Sequence, residues 1–225
     1  MRHLSPRTGL DGVNAPAAND SVYSRENPSP RYRELVGMYR KMHREGIPEL
    51  GMTPAKVFTG KSLVPHLPVI KQLVAQHGAT SLLDYGAGKG SLYRVGNIKL
   101  RTGETIANIA SYLRVNRIVC YDPGVDEHSA LPAEQFDGVI STDVLEHCPE
   151  QDVPWIVEEM FAMARKFVFA NIACFPASKK LPNGENAHCT IQPPAWWQAI
   201  IGPIEVRYPA VTAKFQISTA YDNAC

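Results

Sequence analysis

The spacing of hydrophobic residues along the chain predicts three helices. In residues 31–43, apolar side chains recur at intervals of three and four, which places them on one face of a helix. A second helix is predicted over residues 65–77, because the segment opens with a proline and is followed by Gly78 as a C-terminal cap. A third is predicted over residues 152–164.

Short apolar runs without this periodicity predict buried strands. They cover residues 81–85, 117–122, 136–142 and 166–172. Near the end of the chain, residues 204–208 and 212–218 alternate between apolar and polar positions and are separated by only a few residues. This alternation predicts an antiparallel hairpin at one edge of the sheet.

Strands that alternate with helices predict an α/β protein. We expect a Rossmann-like doubly wound sheet, mainly parallel, with an antiparallel edge hairpin. Ligands of such sheets bind beyond the carboxyl ends of the strands, at the point where the strand order reverses. Half of residues 1–30 are Pro, Gly, Ser, Asn or Asp. This stretch predicts a flexible N-terminal arm, or a lid that closes on a ligand, in front of one catalytic domain over residues 31–225.

Composition and charge mainly exclude classes of partner. The chain has 23 Lys and Arg against 22 Asp and Glu, so no overall positive charge draws it to nucleic acid or to an anionic membrane. No apolar run reaches the roughly 18 residues that span a bilayer, and the first residues lack the apolar core of a signal peptide. The five cysteines are scattered without a Cys-X-X-Cys pair, which predicts free thiols. We therefore expect a cytoplasmic protein with a small-molecule partner.

The strongest chemical motif is the turn at residues 84–90, Asp-Tyr-Gly-Ala-Gly-Lys-Gly. Its glycines permit backbone conformations that other residues disfavour, and they let backbone N–H groups approach a ligand. The third glycine comes one position too early for the dinucleotide pattern G-x-G-x-x-G, and no Ser or Thr follows Lys89 as a Walker A loop requires. The turn alone leaves open a tight turn with no ligand.

Two further predicted strands end at acidic side chains. Asp122 follows a buried strand and is placed to accept hydrogen bonds from the hydroxyls of a ribose, although an aspartate here also serves as a turn or cap residue. Asp143, Glu146 and His147 follow the strand at residues 136–142. Because carboxyl ends of parallel strands meet at one edge of a sheet, we expect all of them beside the glycine-rich turn.

These three segments, in this order, resemble the class I S-adenosylmethionine-dependent methyltransferases over roughly residues 60–220. Residues 82–90 look like the family's first motif, Asp122 looks like its ribose-binding acid, and residues 143–147 look like the segment after its fourth strand. The resemblance implies a seven-stranded sheet whose last strand is antiparallel. It also implies that S-adenosylmethionine is the cofactor, bound by Asp84, Gly86, Ala87, Gly88, Asp122, Pro123, Asp143 and Val144.

The resemblance further implies how these residues share the cofactor. The glycine-rich turn would lie against the methionine part and Asp122 would bind the ribose. Asp143 and Val144 would lie near the sulfonium or the methionine amino group.

The chain departs from this pattern in two intervals. Asp84 and Asp122 are 38 residues apart, beyond the roughly 20 of a compact crossover unit, so residues 96–116 are predicted to be an added segment, with a lid over the cofactor as one role. Only 13 residues separate Asp122 from Phe136, too few for the usual helix and strand. The adenine contact is therefore left open, with Asp126 and Leu131 as candidates.

The loop at residues 176–197 predicts a wall on the substrate side, because it follows a strand end and concentrates polar and aromatic residues. Phe175, His188 and Trp196 are the predicted substrate contacts, and an aromatic face attracts a sulfonium by roughly 0.5–2 kcal/mol. The alternative is that the tryptophans only pack a helix onto the sheet. Upstream, Lys61 and Ser62 are candidates for the cofactor carboxylate, with a helix cap by Ser62 as the favoured alternative.

The pairs His147-Cys148 and His188-Cys189 raise the alternative of a zinc site. They lack the usual ligand spacing of about two to four residues, and a methyl sulfonium needs no metal, so no metal site is predicted.

The predicted activity is methyl transfer from S-adenosylmethionine to a small molecule, as in specialised metabolism. Asp143 and His188 are the candidate catalytic bases. One alternative keeps the cofactor but closes its amino group onto its own γ-carbon, giving azetidine-2-carboxylate and methylthioadenosine. A second alternative is a noncatalytic binding protein on the same fold. The oligomeric state is not predicted.

Overall fold

Helices and strands alternate along most of the chain. The computed structural model describes residues 22–220. The helices are α1 (Pro30–Glu45), α2 (Leu67–His77), α3 (Ile109–Leu113), α4 (Val153–Met163) and α5 (Pro194–Arg207). The strands are β1 (Ser81–Tyr85), β2 (Ile98–Lys99), β3 (Thr105–Ile106), β4 (Arg117–Tyr121), β5 (Phe136–Thr142), β6 (Ala164–Ala173) and β7 (Thr212–Ser218). None of the helices in the described range is long and apolar enough to cross a membrane.

The main sheet has five strands in the order β4-β1-β5-β6-β7, and all neighbours are parallel. Numbered along the chain, this is the order 2-1-3-4-5, one of the two common orders of doubly wound sheets. The order reverses between β1 and β5, so a crevice is expected beyond the carboxyl ends of these two strands. The predicted α/β class and mainly parallel sheet are confirmed.

Hydrophobic cores lie on both faces of this sheet. Successive residues of β1 point to opposite faces: Leu82 packs with the cluster that includes α2 and α3, whereas Leu83 packs with the cluster that includes α4 and α5. All seven residues of β5 are buried. Burial on both faces explains why these strands are continuous apolar runs in the sequence.

The predicted edge hairpin is wrong. Residues 204–208 belong to the end of α5 and the residue after it, and β7 pairs in parallel with β6 from Phe167–Thr212 to Ala173–Ser218. A five-residue window cannot separate strand alternation from helical spacing, and the isoleucines Ile200, Ile201 and Ile204 form the buried face of a helix. The seven-stranded sheet with an antiparallel last strand is likewise not found in residues 22–220.

The two unusual intervals have separate structural explanations. Residues 96–116 form the antiparallel pair β2–β3 and the helix α3, which pack against α2 through Ile98, Ile106 and Leu113. Between Asp122 and β5 the described chain has only a 3₁₀ turn at Asp126–His128, which confirms that this interval lacks a helix and a strand.

The start of the described chain lies against the domain. Arg25 pairs with Glu159 of α4 and donates a hydrogen bond to the Tyr85 hydroxyl. Ser29 caps α1 by accepting from the backbone N–H of Tyr32, and its own N–H donates to Asp152. Residues 1–21 of the predicted arm lie outside the described residues, and the flexible arm or lid stays a prediction.

Replacing Gly138 by alanine is expected to destabilise the fold by about 2 kcal/mol, within the usual range for overpacking a core. A Cβ atom at this position in β5 would lie 2.3 Å from Cζ of Phe167 and 2.8 Å from Cδ2 of Leu82. The midpoint of urea unfolding measures the change. Gly37→Ala in α1 is the control, because its Cβ meets nothing within 4 Å and alanine favours a helix. Equal midpoints for wild type and Gly138→Ala would contradict the close contact.

Candidate functional site

A cavity of about 910 Å³ lies at the carboxyl ends of the central strands, at the point where the strand order reverses. The glycine-rich turn after β1, the segment after β4 and the segment after β5 all contribute to its wall. Helix α1 covers one side with its aromatic and aliphatic face. That face comprises Tyr32, Leu35, Val36, Tyr39 and His43.

The glycine-rich turn has the left-handed backbone conformation that its glycines predict. Gly86 and Gly88 have φ angles of 85° and 57°, in the left-handed region that favours glycine. A Cβ on Gly86 would lie 2.4 Å from a methyl carbon of Val144, so the turn and the segment after β5 pack directly against each other.

The backbone N–H groups of this turn already have acceptors within the protein. Those of Gly86 and Ala87 donate to the carbonyl of Tyr121 at 2.7 and 3.0 Å, and that of Gly88 donates to Asp122 at 2.8 Å. A phosphate cradle requires such groups to be free. The geometry therefore agrees with the exclusion of dinucleotide and Walker A patterns from the sequence.

Asp122 lies between the glycine-rich turn and the chain that follows β4. Its two carboxylate oxygens accept from the N–H groups of Gly88 and Gly124, each at 2.8 Å. Burial raises the pKa of Asp122, and these two N–H groups partly oppose that shift. Each oxygen keeps a lone pair for a further donor, as binding of ribose hydroxyls requires.

Asp84 lies beneath the turn and outside the lining of the large cavity. It is 5% exposed, accepts a hydrogen bond from the Tyr93 hydroxyl at 2.7 Å, and borders a recess of about 20 Å³. Burial raises the pKa of Asp84 to about 7, the Tyr93 hydrogen bond opposes this, and the nearby Asp122 adds to it. Its position indicates support of the turn, and its predicted role in cofactor binding stays a prediction.

Asp143 projects into the cavity opposite two imidazoles. Its backbone has a φ of 62°, and its N–H donates to the side chain of Asn171 at 3.1 Å. Oδ1 of Asp143 lies 3.8 Å from Nε2 of His147 and 3.7 Å from Nε2 of His188. Burial by itself favours the neutral acid, but these imidazoles hold the pKa of Asp143 well below its usual range.

Charge around His147 favours its protonated form. Burial by itself opposes the imidazolium, but the neighbouring carboxylates of Asp143 and Glu146 raise the pKa of His147. Glu146 is fully buried, and one of its oxygens accepts from the N–H of Ala173 at 2.8 Å. Burial raises the pKa of Glu146 as well.

Most of the residues predicted from the sequence meet at this cavity. Those that line it are Gly86, Ala87, Gly88, Asp122, Pro123, Asp143, Val144, Phe175 and His188. Trp196 does not: it is 3% exposed and packs edge-to-face against Trp197 in the core, with ring centroids 5.0 Å apart. The prediction of Trp196 as a substrate contact is therefore corrected. The helix that carries it turns its aromatic face toward the sheet.

Three secondary candidates also have definite positions. Lys61 and Ser62 line the cavity, and Ser62 is not a helix cap, because the 3₁₀ turn Lys61–His66 starts after Gly60 without a side-chain cap. Asp126 is exposed and pairs with Arg44, away from the cavity lining. Leu131 packs against the core and is not part of that lining either.

Sequence reasoning missed the contribution of α1 to the site. Tyr39 and His43 of α1 lie in the cavity wall together with Phe58 from the loop before α2, and the rings of His43 and Phe58 are 4.9 Å apart. Burial, with a smaller effect from the charge of Lys89, lowers the pKa of His43 to about 4. The sequence does show aromatic residues along one face of α1. That pattern did not identify the site, because it is equally typical of a helix that packs on a core.

Comparison of the chain with protein-family models, with curated proteins and with solved structures gives no match. The function is therefore inferred from the geometry of the site.

Proposed function

We propose that this protein binds S-adenosylmethionine in the cavity and transfers its methyl group to a small molecule. One observation carries the proposal. The three segments that resemble the methyltransferase motifs are far apart in the sequence but surround a single cavity, with Gly86, Asp122 and Asp143 all in its wall.

The chemistry of the turn supports an adenosyl sulfonium over a phosphorylated cofactor. S-adenosylmethionine carries a ribose but no phosphate. The N–H groups of Gly86, Ala87 and Gly88 already donate to acceptors within the protein. The oxygens of Asp122 keep lone pairs that can accept from hydroxyl groups. A nucleoside without phosphates matches both properties.

The size of the cavity favours transfer to a second molecule over cyclisation of the cofactor. Pockets that enclose a single drug-sized ligand measure roughly 300–1,000 Å³. At about 910 Å³, this cavity lies near the upper end of that range and leaves room for an acceptor beside the cofactor. Intramolecular cyclisation needs no such space.

The protein's contribution to methyl transfer would be mainly positional. The acceptor atom must lie in line with the sulfonium at about 3–3.5 Å, and water must be kept out. The face of α1 and Phe175 supply the apolar wall, and Asp143 and His188 are the groups placed to take a proton from an acceptor.

Titration calorimetry with S-adenosylmethionine tests binding, with NAD and ATP as phosphate-bearing controls that are expected not to bind. Mass spectrometry then identifies the products formed with the cofactor alone and with a cell extract added. S-adenosylhomocysteine that appears only when both the protein and the low-molecular-weight fraction of the extract are present supports transfer to a small molecule. Methylthioadenosine formed together with azetidine-2-carboxylate from the cofactor alone would show cyclisation in place of transfer. The absence of any cofactor binding would reject the proposal.

A further inference from the structure

His147 and His188 come from distant parts of the chain, yet both turn their Nε2 atoms toward Asp143. Within residues 22–220, these three side chains are the group whose potential ligand atoms all lie within 4.8 Å of one another. The histidines belong to the two His-Cys pairs that spacing excluded as zinc ligands. Neither cysteine belongs to this group: the Cys148 thiol donates to the carbonyl of Val144, and the sulfur of Cys189 lies 4.0 Å from the hydroxyl oxygen of Thr190.

The hydrogen bonds made by Nδ1 of each histidine indicate which ring nitrogen carries the hydrogen. Nδ1 of His147 lies 2.9 Å from the carbonyl oxygen of Ala187, and Nδ1 of His188 lies 2.6 Å from that of Phe175. A carbonyl oxygen only accepts, so each Nδ1 carries a proton. In the neutral imidazole, the lone pair is then on Nε2, the atom that faces Asp143. Protein metal sites orient their histidine ligands in the same way.

The distances fit three ligands around an ion better than direct hydrogen bonds. The two Nε2 atoms lie 3.8 and 3.7 Å from Oδ1 of Asp143, beyond hydrogen-bond range. Ligands held about 2.1 Å from an ion in a tetrahedron are about 3.4 Å apart. The two distances to Asp143 therefore exceed this separation by only a few tenths of an ångström.

A further carboxyl group lies beside these three side chains, and the cluster is open to the cavity. The buried carboxyl of Glu146, next to His147 in the chain, has one oxygen without a hydrogen-bond partner among the described residues. The carboxylate of Asp143 would offset part of the charge of a bound cation. The side chain of Asp143 is 49% exposed, and all three residues line the cavity, so an ion would keep positions for water or another ligand.

We propose that Asp143, His147 and His188 bind a divalent transition-metal ion through one carboxylate oxygen and two imidazole Nε2 atoms. This ligand set, with open coordination positions, suits Zn²⁺ and Fe²⁺. Tyr39 is an outer-shell partner, because its hydroxyl lies 2.7 Å from Nδ1 of His147 and donates to the carbonyl of Ala187 at 3.0 Å.

The binding of the ion does not depend on the proposed methyl transfer. If that function holds, the ion lies in the same cavity as the cofactor-binding turn. It would then lower the pKa of an acceptor hydroxyl or thiol bound to it, a task otherwise assigned to Asp143 and His188 as bases.

The test titrates the full chain, treated with a chelator and dialysed, with Zn²⁺ and with Co²⁺ in the absence of S-adenosylmethionine. We expect one saturable site by calorimetry, together with visible d–d bands of Co²⁺ bound at low coordination number. Asp143→Asn and His188→Gln are expected to weaken binding about a hundredfold or more, and Tyr39→Phe about tenfold, in line with the roughly 10–100-fold effect of outer-shell partners.

His77→Gln is the matched control, since His77 ends α2 at the edge of the sheet opposite the cavity, and it should bind the metal like wild type. Asp143→Asn retains the size of a half-exposed side chain, and its unfolding curve verifies that it folds. Absence of a saturable site in wild type would overturn the proposal. Equal affinity in wild type, Asp143→Asn and His188→Gln would overturn it as well. Because no cofactor is present, failure here is distinct from failure of S-adenosylmethionine binding.

Discussion

Replacing Asp122 by alanine is expected to weaken S-adenosylmethionine binding about a hundredfold, or about 2.8 kcal/mol. The carboxylate is the acidic group at the tip of β4 that lines the cavity, and hydrogen bonds to a charged group contribute about 1.5–3 kcal/mol each. Alanine also leaves the N–H groups of Gly88 and Gly124 without their acceptor. Calorimetry on the folded variant measures the change.

The matched control is Asp126→Ala. Asp126 is only four positions away but is exposed and pairs with Arg44, so its replacement should leave the affinity unchanged. Asp122→Asn should lie between wild type and Asp122→Ala, because the amide keeps one acceptor oxygen and loses the charge. If Asp122→Ala binds the cofactor within threefold of wild type, Asp122 does not bind the ribose.

The free energy of unfolding is expected to contain a contribution from Asp84 that falls as the pH rises from about 4 to about 7. The folded chain holds the proton with a pKa of about 7, against 3.8 for an ordinary aspartate. Above the lower pKa the unfolded chain releases this proton while the folded chain retains it, so stability is lost with rising pH. At about 1.36 kcal/mol per pKa unit, the complete effect is about 4 kcal/mol.

Asp84→Asn isolates this contribution, because asparagine has the same size and does not titrate. The difference in unfolding free energy between the variant and wild type should shift in favour of the variant by about 3 kcal/mol between pH 5 and pH 8. Tyr93→Phe removes the hydrogen bond that lowers the pKa of Asp84, so it should extend the pH dependence to higher pH. A difference independent of pH would show that Asp84 is ionised throughout.

Local patterns determined most of the strands and the position of the glycine-rich turn. The apolar runs at β1 and β5 were predictable to the residue, because burial on both faces demands continuous hydrophobicity. The positive φ angles at Gly86 and Gly88 were predictable too, because glycine adopts this backbone conformation far more readily than other residues. The short interval before β5 correctly predicted the missing helix and strand.

Only the tertiary structure decided how the end of the chain is arranged. The direction of β7 depends on the 14-residue helix α5, which returns the chain to the opposite end of the sheet before β7 begins. A short alternating segment does not encode that path. For the same reason Trp196 was misplaced, since the side of a helix that meets the sheet depends on how the helix is docked.

The sequence by itself determined which residues surround the cavity at the strand ends, because parallel strands bring their carboxyl ends to one edge. It did not determine that α1 covers this cavity or that His147 and His188 face Asp143. Each of these depends on segments far apart in the chain, such as Tyr39 and Ala187, which meet only after the helices pack. A local sequence pattern indicates whether a side chain is buried, but the fold determines which residues it packs against.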